Sequence, residues 1–321
     1  MINWGVLGLG NMGRQFINCF LNKFSEINLL GVASKSNSDV GNLKKKINFK
    51  QYNSYETLLD DDKIDAIYIA TLNNTHKELV KSAAKKNKKI LCEKPLGLNL
   101  KEVRDLHEIL KKNSNSFYEA IAYRSHPQTF FLMNLIKNKE FGKVKKIESN
   151  FGFKVKKISE DSRLFNKSLG GGAILDIGCY PISFFNLFNE QKNRMTILDS
   201  KINYCKTEVD IDAEIVLKIN QEIDAKAKVS LRENLQNISR IFFENAVVTI
   251  PEPWIPKKKC FIEIETKSRY HKNFFNTDKN IYGHQIEQVS RAFLKKNDLL
   301  VDIDESLEIS SIINSWLEIK N

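Results

Sequence analysis

Residues 2–13 set the tightest limit on what this chain can fold into. Ile2–Leu7 is a short apolar run that reads as a buried strand. Gly8-Leu9-Gly10-Asn11-Met12-Gly13 follows at once, and Phe16, Cys19, Phe20 and Phe24 then recur at helical spacing. Each glycine has a task in that order of elements. Gly8 permits a tight turn after the strand, Gly10 lets the backbone approach a pyrophosphate, and Gly13 lets the helix lie close on the sheet with its N-terminus facing the phosphates. A bare G-x-G-x-x-G recurs by chance. Between a strand and a helix in a βαβ pattern it reads as a dinucleotide site, and Gly8, Gly10, Asn11, Met12 and Gly13 are assigned to it.

The alternation continues. Asn28–Ala33, Asp65–Ala70, Lys89–Cys92 and Phe117–Ala120 read as strands, with helices over Asp39–Ile47, His76–Lys86 and from an Asn99 cap through Lys111. This predicts an α/β fold whose first domain, residues 1–121, is a doubly wound, mostly parallel Rossmann sheet. The rhythm then changes. Ser125–Lys139 reads as a helix and Lys143–Phe153 as a strand, while Gly170-Gly171-Gly172 opens a helix that carries Asp176 and Tyr180. Ile211–Ile219, Ile223–Leu231, Ser239–Glu244 and Ala246–Ile250 alternate as strands joined by short polar turns, which argues for a mostly antiparallel open sheet. Ile281–Leu294 and Ser306–Leu317 close the chain as helices. Residues 122–321 are therefore expected to form an α+β domain, with the stripe Leu307, Ile309, Ile313, Trp316 offering the last helix back to the first domain.

Composition excludes several classes. Of 321 residues, 42% are hydrophobic and 28% charged, which is neither disordered nor fibrous, and no apolar run approaches the ~18 residues that span a bilayer. No basic region followed by a long apolar segment opens the chain, so a secretory leader is not expected. The five cysteines (Cys19, Cys92, Cys179, Cys205, Cys260) are odd in number and form no CxxC pair. That speaks against a disulfide framework or a metal site and for a reducing cytoplasm. The net charge of +11 comes from 41 lysines against 9 arginines, spread from Lys23 to Lys320. A nucleic-acid surface would cluster its cations and favour arginine, so no nucleic-acid partner and no membrane are expected.

Cofactor preference is written where the second strand ends. An NAD-selective fold places Asp or Glu about 20 residues past the glycines to hold the ribose 2′-OH. Here the residues are Ser34-Lys35-Ser36, with no carboxylate before Asp39. One cation and two hydroxyls suit a 2′-phosphate, so NADP is expected, with NAD as the alternative.

From Glu93-Lys94-Pro95 onward the chain resembles the Gfo/Idh/MocA oxidoreductases, over essentially its whole length. The resemblance rests on the glycine turn, Thr71-Leu72-Asn73-Asn74-Thr75-His76, Cys92-Glu93-Lys94-Pro95-Leu96, Tyr123-Arg124-Ser125-His126-Pro127, and Gly170-Gly171-Gly172-Ala173-Ile174-Leu175-Asp176-Ile177-Gly178-Cys179-Tyr180-Pro181. Ile250-Pro251-Glu252-Pro253-Trp254 and Tyr282-Gly283-His284-Gln285-Ile286-Glu287 also match family habits. It implies that Thr71, Asn73, His76, Glu93 and Lys94 serve the cofactor, that Arg124 and His126 serve the substrate, and that the open sheet face forms a homodimer or homotetramer. The serine-plus-base after the second strand resembles the branch holding NADP-dependent diol and sugar dehydrogenases. Two departures stand out: Leu72 where proline is common, and Ser125 where an aromatic residue is frequent.

The chemistry can be argued without the family. Oxidising a carbinol needs a group to take the hydroxyl proton, and reduction needs an acid in the same place. Tyr180 is a candidate, but a free phenol has a pKa about 3 units too high for a base at pH 7, a gap of ~4 kcal/mol. A cation ~4 Å away at an effective dielectric of ~20 supplies about that much. Lys94, closing a parallel strand at the edge where such sheets bind ligands, can be that cation, or can carry the proton itself. Asp176 lies one helical turn from Tyr180 and can orient a substrate hydroxyl or Lys94. Cys179 has no base partner and reads as packing.

These residues point to an NADP(H)-dependent oxidoreductase that moves a hydride between nicotinamide and a carbinol or carbonyl of a small molecule, a sugar, sugar derivative, cyclitol or diol. The alternatives are a nucleotide-sugar dehydrogenase of surface-glycan synthesis and a catalytically silent dinucleotide-binding sensor. Lys94, Asp176 and Tyr180 together speak against the sensor, which has no chemical need of all three.

Overall fold

The computed structural model describes residues 1–22, 24–35, 40–114, 116–189, 195–294 and 299–319. They divide into two compact units, Met1–Ala122 with Lys279–Leu307, and Tyr123–Asp278 with Glu308–Asn321. In chain order the first unit holds β1 (Ile2–Leu7), α1 (Asn11–Asn18), β2 (Ile27–Ala33), α2 (Gly41–Lys44), β3 (Lys50–Tyr52), α3 (Tyr55–Leu59), β4 (Ala66–Ile69), α4 (His76–Lys85), β5 (Lys89–Cys92), α5 (Leu100–Lys112) and β6 (Phe117–Glu119). The second continues with α6 (Pro127–Lys137), β7 (Val144–Gly152), α7 (Cys179–Asn186), β8 (Met195–Tyr204), β9 (Asp210–Ile219), β10 (Ile223–Ser230), β11 (Ile238–Phe243), β12 (Ala246–Pro251), β13 (Lys259–Thr266) and β14 (Tyr270–Asn276). After it, α8 (Ile281–Ala292) belongs again to the first unit, and the division at residue 307 falls inside α9 (Ile303–Glu318).

The first sheet is parallel throughout, in the order β3-β2-β1-β4-β5-β6. Its strands are short apolar runs because both faces are covered. Along β1, Trp4 and Val6 enter a core with Phe16, Tyr68 and Leu91, while Leu7 enters the opposite core with Ile67, Ile69, Val80 and Leu106. The order reverses between β1 and β4, so the carboxyl ends of these two strands flank the crevice where an open α/β sheet takes its ligand. β3 was not expected from the sequence, where its three residues carry little pattern, and the helix expected over Asp39–Ile47 is the single turn α2 among the described residues.

The second sheet runs β14-β13-β12-β11-β7-β10-β9-β8 and is antiparallel except for the parallel pair β7–β10. β13 and β14 were not read from the sequence; in β14 the run is broken by Lys272 and Asn273.

Part of the last helix, Ile303–Leu307, falls in the first unit, and so does the whole of α8. Its Ile286 and Val289 lie in the core around Trp4, Ser290 Oγ accepts from Trp4 Nε1 at 3.0 Å, and Phe293 packs on Trp4 with centroids 5.7 Å apart. α9 is split: Ile303 lies in a core of the first unit, whereas the buried Trp316 belongs to the second and stands over Gly178. The helix opened by the glycine cluster begins as a π-helical turn, Ile174–Gly178, that passes into α7 at Cys179. Among the described residues no helix is long and apolar enough to cross a membrane.

Candidate functional site

In the first unit the site is built on the carboxyl edge of the sheet. Gly8 has φ +99°, and its amide donates to the Ala33 carbonyl at 2.9 Å. A Cβ at Gly8 would stand 2.5 Å from the Ala70 carbonyl oxygen, and one at Gly13 only 2.1 Å from the Gly8 oxygen. Both positions therefore exclude a side chain for reasons internal to the fold. Gly10 differs. Its φ of −66° suits any residue, and a Cβ there would meet nothing closer than the Ala70 oxygen at 4.0 Å. The chain itself does not need glycine at this point. The free space lies at the N-terminus of α1, which has no side-chain cap and no acidic residue in its first turn. Unsatisfied amides, the helix dipole and an open cradle fit a pyrophosphate.

Thr71 and Asn73 follow β4 beside this turn, Thr71 Oγ1 lying 2.7 Å from Thr75 Oγ1 and Asn73 being buried. Lys35, at the end of β2, is exposed, with its ammonium 5.9 Å from the centre of the Tyr55 ring. Ser34 precedes it, half-buried, and Ser36 lies outside the described residues.

The segment after β5 is held from three sides. Tyr68 on β4 donates its hydroxyl to Glu93 Oε1, and burial followed by the Glu93 charge pushes that phenol far above its ordinary pKa. His76 at the start of α4 places Nδ1 2.9 Å from the Pro95 carbonyl, across a cis Lys94–Pro95 peptide, and Nε2 3.3 Å from the Thr71 carbonyl. Glu119 at the end of β6 accepts the Leu96 amide at 3.0 Å. Lys94, half-buried, thus sits on a rigidly fixed stretch. His76 is fully buried and braces the loops that follow β4 and β5. Glu119, which the sequence reading did not single out, belongs to the same frame.

Burial pushes the Glu119 carboxyl up to about 7. A carboxyl whose folded pKa is raised stabilises the fold fully below its unfolded value of 4.5 and loses that contribution as pH climbs through about 7. The difference amounts to roughly 3 kcal/mol by pH 8. Glu119→Gln is therefore expected to flatten the stability profile between about pH 4.5 and pH 7 in urea melts, and an unchanged slope would contradict it.

In the second unit, Asp176 and Tyr180 stand where the π turn meets α7. The turn is fastened by two devices. Asp210 on β9, buried and pushed up to about 6 by desolvation, accepts the Ile174 amide at 2.6 Å. Its Oδ1 would lie 2.1 Å from a Cβ on Gly172, whose φ is +114°. The Arg163–Phe165 turn folds back onto the glycine cluster through Gly172 N to Leu164 O at 2.9 Å, which brings Arg163 Nη1 to 2.9 Å from Asp176 Oδ1. Neither Arg163 nor Asp210 was found from sequence, since both reach the helix from elsewhere in the chain. The Tyr180 ring is boxed by Phe151, Trp254 and Tyr123, with centroids 5.1, 6.2 and 6.3 Å away.

Arg124 and His126 are tied into the same frame. Arg124 is buried and donates Nη1 to the Ser183 carbonyl on α7 at 2.8 Å. His126, equally buried, caps α6 by accepting the Gln128 amide at 3.2 Å. Cys179 is buried against the Asp176 carbonyl, as packing.

One further side chain completes the first unit's edge. Tyr282 on α8 places its hydroxyl 4.0 Å from Met12 Sδ and feels both Glu93 and Lys94.

Comparison with known proteins supplies the relationship. The model of an oxidoreductase family with an NAD-binding Rossmann fold, GFO/IDH/MocA, matches residues 2–120, and that of the GFO/IDH/MocA C-terminal domain matches residues 132–248. The chain is 28% identical over 330 residues to trans-1,2-dihydrobenzene-1,2-diol dehydrogenase of Xenopus tropicalis, covering 98% of this chain and 97% of that one. It is 29% identical over 322 residues to D-xylose 1-dehydrogenase (NADP(+)) 2 of Haloferax volcanii, covering 98% and 96%. Among solved structures it shares the fold of an aldose-aldose oxidoreductase from Caulobacter crescentus, at a TM-score of 0.87 with 17% identity and coverage of 98% and 96%. A 3-ketoreductase from Actinomadura kijaniata, solved with NADP and TDP-benzene, aligns at 0.85 with 18% identity and the same coverage.

Proposed function

The chain belongs to the GFO/IDH/MocA oxidoreductases, NAD(P)-dependent dehydrogenases, and we propose that it is an NADP(H)-dependent enzyme acting on a CH–OH group or the matching carbonyl of a sugar, sugar derivative, cyclitol or diol. The observation that carries this reading is the pairing, on one sheet edge, of an open Gly10 cradle with a rigidly held Lys94. The likeness in name to diol and xylose dehydrogenases supports the substrate class.

When bound, the nicotinamide accepts or supplies the hydride, and the protein's task is the proton. Tyr180 takes the hydroxyl proton during oxidation and returns it during reduction, with Lys94 as the cation that makes a phenol competent near neutrality. Asp176, ion-paired with Arg163, accepts a hydrogen bond from a substrate hydroxyl and so fixes which carbon reacts. Small-molecule turnover in the cytoplasm by a homodimer or homotetramer completes the proposal. An absorbance screen at the NADPH band, over sugars, polyols, diols and nucleotide sugars with NADP⁺, tests it. Absence of turnover across the panel, with NADPH bound, would favour the silent sensor.

The cofactor choice is separately testable. Lys35 offers a cation where an acid would repel a 2′-phosphate, so NADPH should bind more tightly than NADH. Lys35→Ala should cost NADPH about three- to tenfold in affinity, in line with one charge-assisted contact, and leave NADH nearly untouched. Calorimetric titration of both nucleotides reads this out, and equal losses for the two would refute it.

A further inference from the structure

We propose that the Tyr282 hydroxyl is a binding group for the nicotinamide end of the dinucleotide, donating a hydrogen bond to its carboxamide. The inference rests on the dinucleotide reading above and assigns a residue to it that comes from α8, some 160 residues away in sequence from the end of the Rossmann strands.

Tyr282 carries an underused donor. Tyr282 is half-buried, and among the described residues its hydroxyl reaches one acceptor, the thioether of Met12, at 4.0 Å. A thioether is a weak acceptor and this distance is the limit of contact, so the protein itself satisfies the phenolic proton poorly. Burial first, and the Glu93 charge after it, push the phenol up to about 12, with Lys94 pulling the other way. Tyr282 therefore keeps its proton throughout the physiological range and can act only as a neutral donor or acceptor.

Its place selects the end of the ligand. Lys35 and the 2′-phosphate side lie at β2, on one flank of the switch point; Glu93 and Lys94 lie at the end of β5, on the other. A dinucleotide laid across the glycine turn has its adenosine half toward β2 and its nicotinamide half toward β4 and β5. Tyr282 stands between Met12 of the turn and the Glu93–Lys94 pair, on the nicotinamide flank. It is also held there firmly. Asn280 caps α8 by accepting the Gly283 amide at 2.9 Å and lies 3.3 Å from Cys19 Sγ at the end of α1, while Trp4 and Ser290 anchor the next turns. A donor fixed in this way has little freedom left to lose on binding.

The test compares two ligands on the full-length protein. Tyr282→Phe removes one hydroxyl and keeps the ring. NADPH and 2′-phospho-ADP-ribose, which lacks the nicotinamide, are titrated against both proteins by calorimetry, with thermal melts as a check on folding. The expected result is a three- to tenfold loss of NADPH affinity, unchanged affinity for 2′-phospho-ADP-ribose and an unchanged melting temperature. Equal NADPH affinity in the variant would overturn the proposal, and so would equal losses for both ligands, which mark a structural role. Failure of the unaltered protein to bind either ligand would instead bring down the dinucleotide reading itself, and this inference with it.

Discussion

Lys94→Ala and Tyr180→Phe are each expected to lower kcat by about 10²–10⁴-fold, the range typical of a lost general acid–base group. NADPH affinity should stay within a few-fold, because the phosphates are assigned to the glycine turn and not to either residue. Tyr180→Phe is the cleaner variant. The ring is packed by Phe151, Tyr123 and Trp254, and all three contacts survive loss of the hydroxyl. Lys94→Ala leaves the braces of its segment in place, since Glu93, Pro95 and Leu96 make the hydrogen bonds to Tyr68, His76 and Glu119. The two variants also separate the assignments that sequence left open. If Tyr180 carries the proton and Lys94 tunes it, the acidic limb of the kcat profile for oxidation should move to higher pH in Lys94→Ala, and the residual rate should recover at high pH. If Lys94 carries the proton itself, that recovery is absent and Tyr180→Phe is the milder change. Near-normal kcat in both would return the two residues to packing roles. Steady-state kinetics on a substrate from the screen, with circular dichroism as a folding check, decide among these outcomes.

What the sequence made legible was local. Ile2–Leu7, the glycine turn and its helix could be read because strand, turn and helix are contiguous, and each glycine's requirement is set by neighbours a few residues away. Gly13 and Gly8, whose Cβ and oxygen would be 2.1 Å apart, are five residues apart in the chain. In the second sheet β7 and β9 to β12 were read for the same reason, with alternation and short turns. What remained hidden were partners brought together by topology. Asp210 reaches the start of the π turn from β9, 36 residues on. Glu119 reaches Leu96 because β5 and β6 are adjacent parallel strands. Tyr282 joins the Met12 side of the site only because α8 completes the Trp4 core. No periodicity in the sequence carries such information.

Arg124 and His126 show how burial escapes a sequence pattern. Polar residues in a motif invite a functional reading, and both proved to be buried parts of the frame, one tied to α7 and one capping α6. A buried arginine satisfied by a carbonyl and a histidine at a helix N-cap look identical, in sequence, to residues that face a ligand. The split between the two kinds of role follows burial, which pattern reports poorly for long polar side chains. Arg163, by contrast, was passed over because nothing in its sequence neighbourhood marks it. Only the fold-back of its turn onto Gly171 and Gly172 brings it to Asp176.

The contrast between Gly10 and Gly13 leads to the second large effect. Gly13→Ala would drive a methyl to 2.1 Å from the Gly8 carbonyl oxygen, a backbone atom that cannot swing aside. The turn or α1 must shift, and overpacking of this kind costs typically 1–3 kcal/mol of stability. Gly10→Ala meets open space at a φ any residue adopts, so its melting temperature should remain close to that of the unaltered protein. If the space is the pyrophosphate cradle, the same methyl collides with the ligand, and the overpacking cost falls on binding instead, about 1–3 kcal/mol or roughly 5- to 150-fold in NADPH affinity. The two variants thus exchange their phenotypes: one loses the fold before the ligand, the other the ligand without the fold. Thermal melts paired with NADPH titration measure both quantities on both proteins. A stable Gly10→Ala variant that still bound NADPH normally would show that the space above Gly10 is not where the phosphates lie, and would remove the strongest physical argument for the cofactor's position on this edge of the sheet.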